Sequence, residues 1–239
     1  MSELKLTPSS SCPVSSPASG TIRLRAVPMR LRSSAASRST NFFIFELMAI
    51  KHTQSEMEQT YFCTFTCVEW IPLFEITDFY GEVYKWFNLL IQNNHQVCGF
   101  VIMPNHLHLL VYITEGKDTV NTILGNAKRF MAYEIVKRLE AAGRTDILQI
   151  LAGQVTPNEK NRKKRHRVFE VSSDIKPCYT EKFLLQKLNY SHSNAVRGKW
   201  RLANTAEDYP HSSAAFYVLN REHQHVKNTH YKDVGKGAG

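Results

Sequence analysis

The spacing of apolar residues changes along the chain and predicts an alternation of strands and helices. Aromatic and β-branched residues alternate with smaller polar ones over residues 61–68, which is typical of a strand. Apolar residues recur every three or four positions over 78–93 and again over 119–142, with Gly143 as a stop signal. These two segments are therefore predicted to be amphipathic helices.

Between the two helical segments the pattern predicts a pair of strands. Two apolar runs, residues 97–103 and 106–113, flank the turn signal Pro104-Asn105. Because successive side chains of a strand point to opposite faces, Leu107 and Leu109 are expected to enter a core on one face.

Two more elements complete the order. Residues 168–171 have the composition of a short strand, and 180–193 have helical spacing with Thr180 as the N-cap. The first six elements run β-α-β-β-α-β, which predicts an α+β, ferredoxin-like fold with an antiparallel sheet. In that topology the strand over 106–113 is central, and the additional C-terminal helix has to lie across the sheet.

The two ends of the chain differ from this patterned region. Residues 1–47 are rich in serine and arginine and nearly lack acidic residues, as in an organellar transit peptide, a disordered tail or translated upstream sequence. We favour the last two interpretations and expect Met48 to be the true start, because patterned sequence begins soon after it. The prediction is one folded domain over 48–220 and a polar flexible tail over 221–239.

Composition narrows the class of protein. The chain has 239 residues, 43% of them hydrophobic, which suits one folded domain with a core. No apolar stretch is long enough to span a bilayer, so no membrane association is expected. A net charge of +9 favours a polyanionic partner, nucleic acid first. Five cysteines without a C-x-x-C pair favour a reducing, cytoplasmic setting.

His106 and His108 carry the first candidate chemistry. They are separated by one residue on a predicted strand, so both imidazoles lie on the same face. Imidazole is a common metal ligand. Two histidines can also simply form the polar face of a half-buried strand. Two ligands alone do not make a metal site.

Tyr190 and Asn194 carry the second candidate chemistry. They are four residues apart, which places them on one face of a helix, one turn from each other. A tyrosine oxygen is a competent nucleophile toward phosphorus, and an amide oxygen can complete a site for Mg²⁺ or Mn²⁺ with two imidazoles. Taken singly, the tyrosine could be a core-edge residue and the asparagine a helix C-cap.

Four segments in this order resemble the REP-associated branch of the HUH single-tyrosine transposases, where U is a hydrophobic residue. They are residues 103–111 (MPNHLHLLV), 168–170 (VFE), 187–196 (KLNYSHSNAV) and 209–213 (YPHSS). The resemblance covers roughly residues 60–217, and it is the full set rather than the His-x-His pair that makes it specific.

The resemblance implies a function and a role for each site residue. It implies a DNA transposase, dimeric, that cuts and rejoins single-stranded DNA through a 5′-phosphotyrosine, usually at a hairpin. Tyr190 would be the nucleophile, and His106, His108 and Asn194 would bind a divalent metal, Mg²⁺ or Mn²⁺.

Two positions depart from the family pattern. Ser191 stands where an aliphatic residue is usual, and Ala195 stands where a proline is usual. Neither removes a proposed chemical group. The departures leave open a domesticated protein that binds DNA hairpins without transposition. A metal hydrolase without a covalent step is a third interpretation.

A basic run follows the second helix and is a candidate for DNA contact. Its cationic residues are Lys160, Arg162, Lys163, Lys164, Arg165 and Arg167. Cations on the second helix could extend the track, namely Lys128, Arg129, Lys137 and Arg138. Such residues supply affinity rather than sequence choice, and the alternative is a solvated loop. Tyr133 and Phe169 are candidates for stacking on bases or for the core.

Overall fold

The computed structural model describes residues 59–116 and 118–236, which contain a four-stranded sheet with helices on both faces. The strands are β1 (Gln59–Thr66), β2 (Gln96–Met103), β3 (His106–Ile113) and β4 (Asp174–Pro177). Their order in the sheet is β2-β3-β1-β4, and every neighbouring pair is antiparallel. The predicted α+β, ferredoxin-like fold is confirmed, with β3 in a central position.

Seven α-helices complete the described chain. They are α1 (Leu73–Ile76), α2 (Tyr80–Gln92), α3 (Val120–Ala141), α4 (Thr145–Gly153), α5 (Pro157–Asn161), α6 (Glu181–Ser193) and α7 (Ala214–Val218). The predicted boundaries of α3 agree with its caps, since the Thr119 side chain accepts from the Thr122 amide and Gly143 has a φ of 64°. The sequence did not predict α4.

One face of the sheet forms the main core with α2 and α3. Leu107 and Leu109 of β3 lie in this core, as their alternation predicts. A stripe of buried side chains on α3, among them Leu124, Met131 and Ile135, packs against them. Since these residues repeat at helical spacing, α3 buries one side and leaves the other exposed.

The opposite face of the sheet is covered by α6. Leu184 and Leu188 of this helix pack in a second apolar cluster with Phe62 of β1 and Leu110 of β3. The predicted C-terminal helix therefore does lie against the sheet. It comes so close to β2 that a Cβ built on Gly99 would stand 2.5 Å from the Leu188 Cδ1 atom.

The predicted fourth strand is in the wrong place. Val168 and Phe169 are consecutive and both buried, and Phe169 forms only an isolated bridge with Cys67. The fourth strand is β4, which pairs with the edge of β1 a few residues later. An edge strand can be short and charged, so its sequence lacks the apolar signal that 168–171 has.

The C-terminal tail also differs from the prediction of a loose segment. Val226 is buried, the Thr229 amide donates to the Val97 carbonyl at 3.0 Å, and the Gly235 amide donates to Gln96 Oε1 at 3.1 Å. Residues 221–236 thus contact the outer edge of β2. The predicted extension over 1–47 lies outside the described residues. No helix among the described residues is long and apolar enough to cross a membrane.

Gly99 provides a test of the close contact between α6 and β2. Gly99→Ala should lower the free energy of unfolding by about 1–3 kcal/mol, because the added methyl group overlaps a buried leucine. Gly125→Ala is the matched control, since nothing lies within 4 Å of its Cβ position in α3. The control should raise stability by about 0.5–1 kcal/mol. Urea unfolding measures the change in the free energy of unfolding for each variant. Equal changes in the two variants would contradict the close contact between α6 and β2.

Candidate active site

The two histidines lie side by side on the face of β3 that α6 covers. His106 and His108 are 7% and 4% exposed, and their ring centroids are 4.8 Å apart. The register of the central pair places Thr64 of β1 opposite His108. The alternation of β3 therefore puts its leucines in the main core and its histidines in a second, more polar layer.

Each imidazole has its Nδ1 atom engaged by a neighbour. His108 Nδ1 lies 2.7 Å from Thr64 Oγ1, and His106 Nδ1 donates to Asn105 Oδ1 at 2.7 Å. The amide orientation of Asn105 is fixed because its Nδ2 atom donates to the Trp70 carbonyl at 2.9 Å. Such bonds orient ligating histidines and leave Nε2 as the coordinating atom. His108 Nε2 is a buried atom with no hydrogen-bond partner among the described residues.

Burial keeps both imidazoles neutral at physiological pH. Desolvation lowers the pKa of His106 to about 4. The pKa of His108 falls to about 3, first through desolvation and then through the nearby His106 and Lys187, while Asn194 acts in the opposite direction. A neutral imidazole is the form that binds a metal ion, so this environment favours coordination.

Helix α6 brings the tyrosine and the asparagine to the histidine pair. The Tyr190 ring lies 5.3 Å from the His108 ring, and the residue is 53% exposed. Asn194 follows the last turn of α6 and interacts with His108 through its side chain. Its Nδ2 atom donates to the Tyr190 carbonyl at 2.7 Å. The structure thus brings together the four residues that the sequence predicted for the site.

A cation at this site was not predicted from the sequence. Lys187 Nζ lies 4.9 Å from the Phe62 ring centroid and 5.7 Å from the Tyr190 ring centroid. It stands three residues before Tyr190, a spacing that places both on one helix face and could have indicated it. Thr64 and Asn105 were also missed as supports of the histidines, because strand register and turn geometry decide their contacts.

The two departures from the family pattern are accommodated by the fold. Ser191 is fully buried, and its hydroxyl donates to the Lys187 carbonyl at 2.8 Å, as serine does inside helices. Ala195 is fully buried in a small cluster with Met103 and Tyr209. Without a proline, the backbone continues from α6 into one 3₁₀ turn over Asn194–Val196.

The predicted DNA-contact residues divide into two groups. Lys160, Arg162, Lys163 and Arg165 are exposed. Lys164 and Arg167 pair with Glu159, and the Arg167 side chain is only 12% exposed. Those cations lower the pKa of the Glu159 carboxyl well below its usual range. Arg167 is therefore held as a structural residue, although the sequence placed it with the others.

Arg162, Lys163 and Arg165 line a groove beside α3, on the side of the sheet opposite the histidines. Arg129, Lys137 and Tyr133 of α3 also line this groove. Two other cations proposed for the track have structural contacts: Lys128 donates to the Glu170 carbonyl at 2.6 Å, and Arg138 pairs with Glu82 at 2.8 Å. Phe169 is a core residue and Tyr133 is exposed, so only the tyrosine remains free to stack.

The donor set of the site limits the metals it can bind. Within residues 59–116 and 118–236, no group of three His, Cys, Asp or Glu side chains could hold a metal ion. The available donors are two imidazole nitrogens and one amide oxygen, with the unpartnered Nε2 of His108 among them. This set lacks thiolates and fits an open site for a divalent cation better than a closed structural zinc site.

Comparisons with solved structures found similar chains. One is a REP-associated tyrosine transposase bound to a REP hairpin, 14% identical over 68% of this chain and 81% of its own length, with a TM-score of 0.43. Another is a candidate transposase from Deinococcus radiodurans R1, 15% identical over 56% of this chain and 88% of its own, with a TM-score of 0.27. No protein-family model and no curated protein matches. Because both TM-scores are below 0.5, we base the functional proposal on the site residues.

The buried histidines predict loss of stability in acid. His106, His108 and His192 have pKa values lowered by burial to about 4, 3 and 4. Below about pH 6.5 the unfolded chain takes up protons that the folded chain does not, so the free energy of unfolding falls as pH falls toward 4. Urea unfolding in metal-free buffer at pH 7 and pH 5 should show this decline.

A substitution isolates the contribution of one of these histidines to the decline in stability. His108→Gln should make the decline shallower by about 1 kcal/mol per pH unit, because one proton-linked group is removed. An unchanged slope in the His108 variant would show that this imidazole is not buried in its neutral form.

Proposed function

We propose that the protein is a metal-dependent DNA transposase that cuts and rejoins single-stranded DNA through a 5′-phosphotyrosine on Tyr190. The observation that supports this most directly is the placement of an exposed tyrosine 5.3 Å, ring to ring, from a buried neutral histidine. A purely structural role for Tyr190 would not account for the imidazole pair and the amide that lie beside it.

His106, His108 and Asn194 are the proposed metal ligands. The two imidazoles have Nε2 atoms that their supporting hydrogen bonds leave available, and the Asn194 amide nitrogen is already engaged, which leaves its oxygen. Mg²⁺ and Mn²⁺ suit such nitrogen and oxygen donors with open positions. When bound, the cation would polarise the scissile phosphate and offset the charge that develops on its oxygens.

The reaction would proceed in two exchanges at phosphorus. The Tyr190 oxygen attacks the phosphorus and its proton passes to water, while the bond to the 3′ oxygen breaks and that oxygen takes a proton. A 3′-hydroxyl of the strand to be joined then attacks the phosphotyrosine and restores the phenol. Covalent catalysis of this kind divides a difficult displacement into two steps and keeps the energy of the phosphodiester bond.

Other cations have proposed roles in holding DNA. Lys187 lies beside Tyr190 and can contact a phosphate next to the scissile one. The exposed residues Lys160, Arg162, Lys163 and Arg165 would contact phosphates farther along, in the hairpin stem. The hairpin partner and the homodimer both stay predictions from the family resemblance, and sedimentation with and without hairpin DNA tests the dimer.

A second function, hairpin binding without strand transfer, is favoured by one observation. Ser191 and Ala195 depart from the family pattern directly beside the proposed nucleophile and ligand. Both are buried, and Tyr190 and Asn194 still lie beside His108, so the chemical groups for transfer are all present.

The nucleophile is tested by Tyr190→Phe. Incubated with labelled single-stranded hairpin DNA and Mn²⁺, the parent protein should form a covalent adduct that survives a denaturing gel. Tyr190→Phe should form none while binding DNA with similar affinity, because one oxygen is lost and the ring is kept. Tyr179→Phe, which removes another exposed hydroxyl, is the matched control and should react normally. An adduct with Tyr190→Phe would overturn the proposal, and binding without any adduct in the parent would select the second function.

Metal binding is tested separately from activity by thermal unfolding. Mn²⁺ should raise the melting temperature of the parent protein, because a ligand that binds only the folded state stabilises it. His106→Ala and His108→Ala should abolish the shift, and Asn194→Ala should require more Mn²⁺ for the same shift. His225→Ala, an exposed histidine elsewhere, should keep the full shift. A normal shift in both variants of the histidine pair would place the metal elsewhere.

A further inference from the structure

Trp70 is an exposed tryptophan beside the histidine pair that neither the fold nor the proposed reaction explains. It is 58% exposed, and its ring lies 5.8 Å from the His106 ring in an edge-to-face arrangement. Tryptophan is strongly buried on average, so an indole left in solvent next to a reactive site needs a reason.

The backbone that carries Trp70 is held in an unusual conformation. Glu69 and Trp70 have φ values of 52° and 55°, a region that residues other than glycine rarely adopt. The turn is closed by the Trp70 amide, which donates to the Cys67 carbonyl at 3.2 Å. Glu69 Oε1 accepts from Gln154 Nε2 at 2.9 Å. Strained backbone of this kind persists where the surrounding structure fixes it, often at binding sites.

One side chain connects this turn to the site. Asn105 is fully buried, its Nδ2 atom donates to the Trp70 carbonyl at 2.9 Å, and its Oδ1 atom accepts from His106 Nδ1 at 2.7 Å. The same amide therefore holds the Trp70 backbone and the His106 imidazole. The indole on this backbone offers a flat apolar surface beside the His106 ring.

We propose that Trp70 is a stacking platform for an unpaired DNA base next to the scissile phosphate. The inference rests on the proposed function for the chemistry of the ligand. Every base has a flat π face, and stacking on an aromatic side chain contributes to single-strand binding without requiring a given base. Phosphate contacts by the exposed lysines and arginines do not require bases, so Trp70 would distinguish a single strand from a bare polyanion.

The test is a two-by-two comparison of binding. Parent protein and Trp70→Ala are each titrated with oligothymidylate and with an abasic deoxyribose-phosphate chain of equal length, and fluorescence anisotropy gives the affinity. Trp70→Ala should weaken oligothymidylate binding by about tenfold or more, the usual effect of losing one base–aromatic stack. Binding of the abasic chain should change less than about twofold, because phosphate contacts are unaffected.

Two further variants make the outcome specific. Trp70→Phe keeps a smaller ring and should give intermediate affinity for oligothymidylate. Phe130→Ala removes another exposed aromatic side chain, on α3 at the other side of the sheet, and should change neither affinity. Melting temperatures close to that of the parent confirm that each variant is folded.

Several results would contradict the proposed stacking role of Trp70. They are an equal loss of affinity for both chains, no loss for either, or dissociation of a dimer on Trp70→Ala, which would make the indole a contact between two copies. Binding here needs no strand cleavage, so the result is separate from adduct formation on Tyr190. If Tyr190→Phe still formed an adduct while base preference depended on Trp70, the proposed nucleophile would be wrong and the platform would stand.

Discussion

The antiparallel pairing of β1 with β3 is the interaction on which the rest of the structure depends. It places Thr64 opposite His108 and Phe62 opposite Leu110 along one face, while the leucines of β3 enter the main core. A slip of one residue would move every side chain of a strand to the other face. The apolar burial of the core therefore fixes the register, and the register in turn fixes which hydroxyl meets the His108 imidazole.

Burying two imidazoles on a central strand destabilises the fold, because the polar ring nitrogens lose their contact with water. Hydrogen bonds within the fold offset only part of this loss. Thr64 and Asn105 each engage one ring nitrogen, but His108 Nε2 has no partner among the described residues. An unpaired buried polar atom normally destabilises a fold. A strand that served only the core could replace His108 with an apolar residue and gain stability. The cost is understandable if the free nitrogen has a ligand, which is the basis for assigning a metal to this place.

Some of this arrangement could be predicted from the sequence, and the physical reason for each limit is clear. Periodicity identified β3, α3 and α6, because a strong apolar period survives in any tertiary context. It failed for β4, whose Asp174–Pro177 segment is paired at an edge where polar residues are tolerated. The run of basic residues also placed Arg167 among the DNA contacts, because the Glu159 carboxylate that pairs with it is recognisable only in three dimensions. Trp70 was missed because its exposure depends on a turn geometry without a sequence signal.

Two asparagines show why a structural role and a functional role need not exclude each other. Asn194 stands where a helix cap is expected, and its Nδ2 atom does bond the Tyr190 carbonyl. That bond engages the amide nitrogen, so the oxygen at the other end stays available for the interaction with His108. Asn105 divides its two ends in the same way, between the Trp70 turn and His106. In each case the structural bond fixes the direction of the atom that the site uses. The capping role of Asn194 thus suits it to the metal-ligand role that we propose for it.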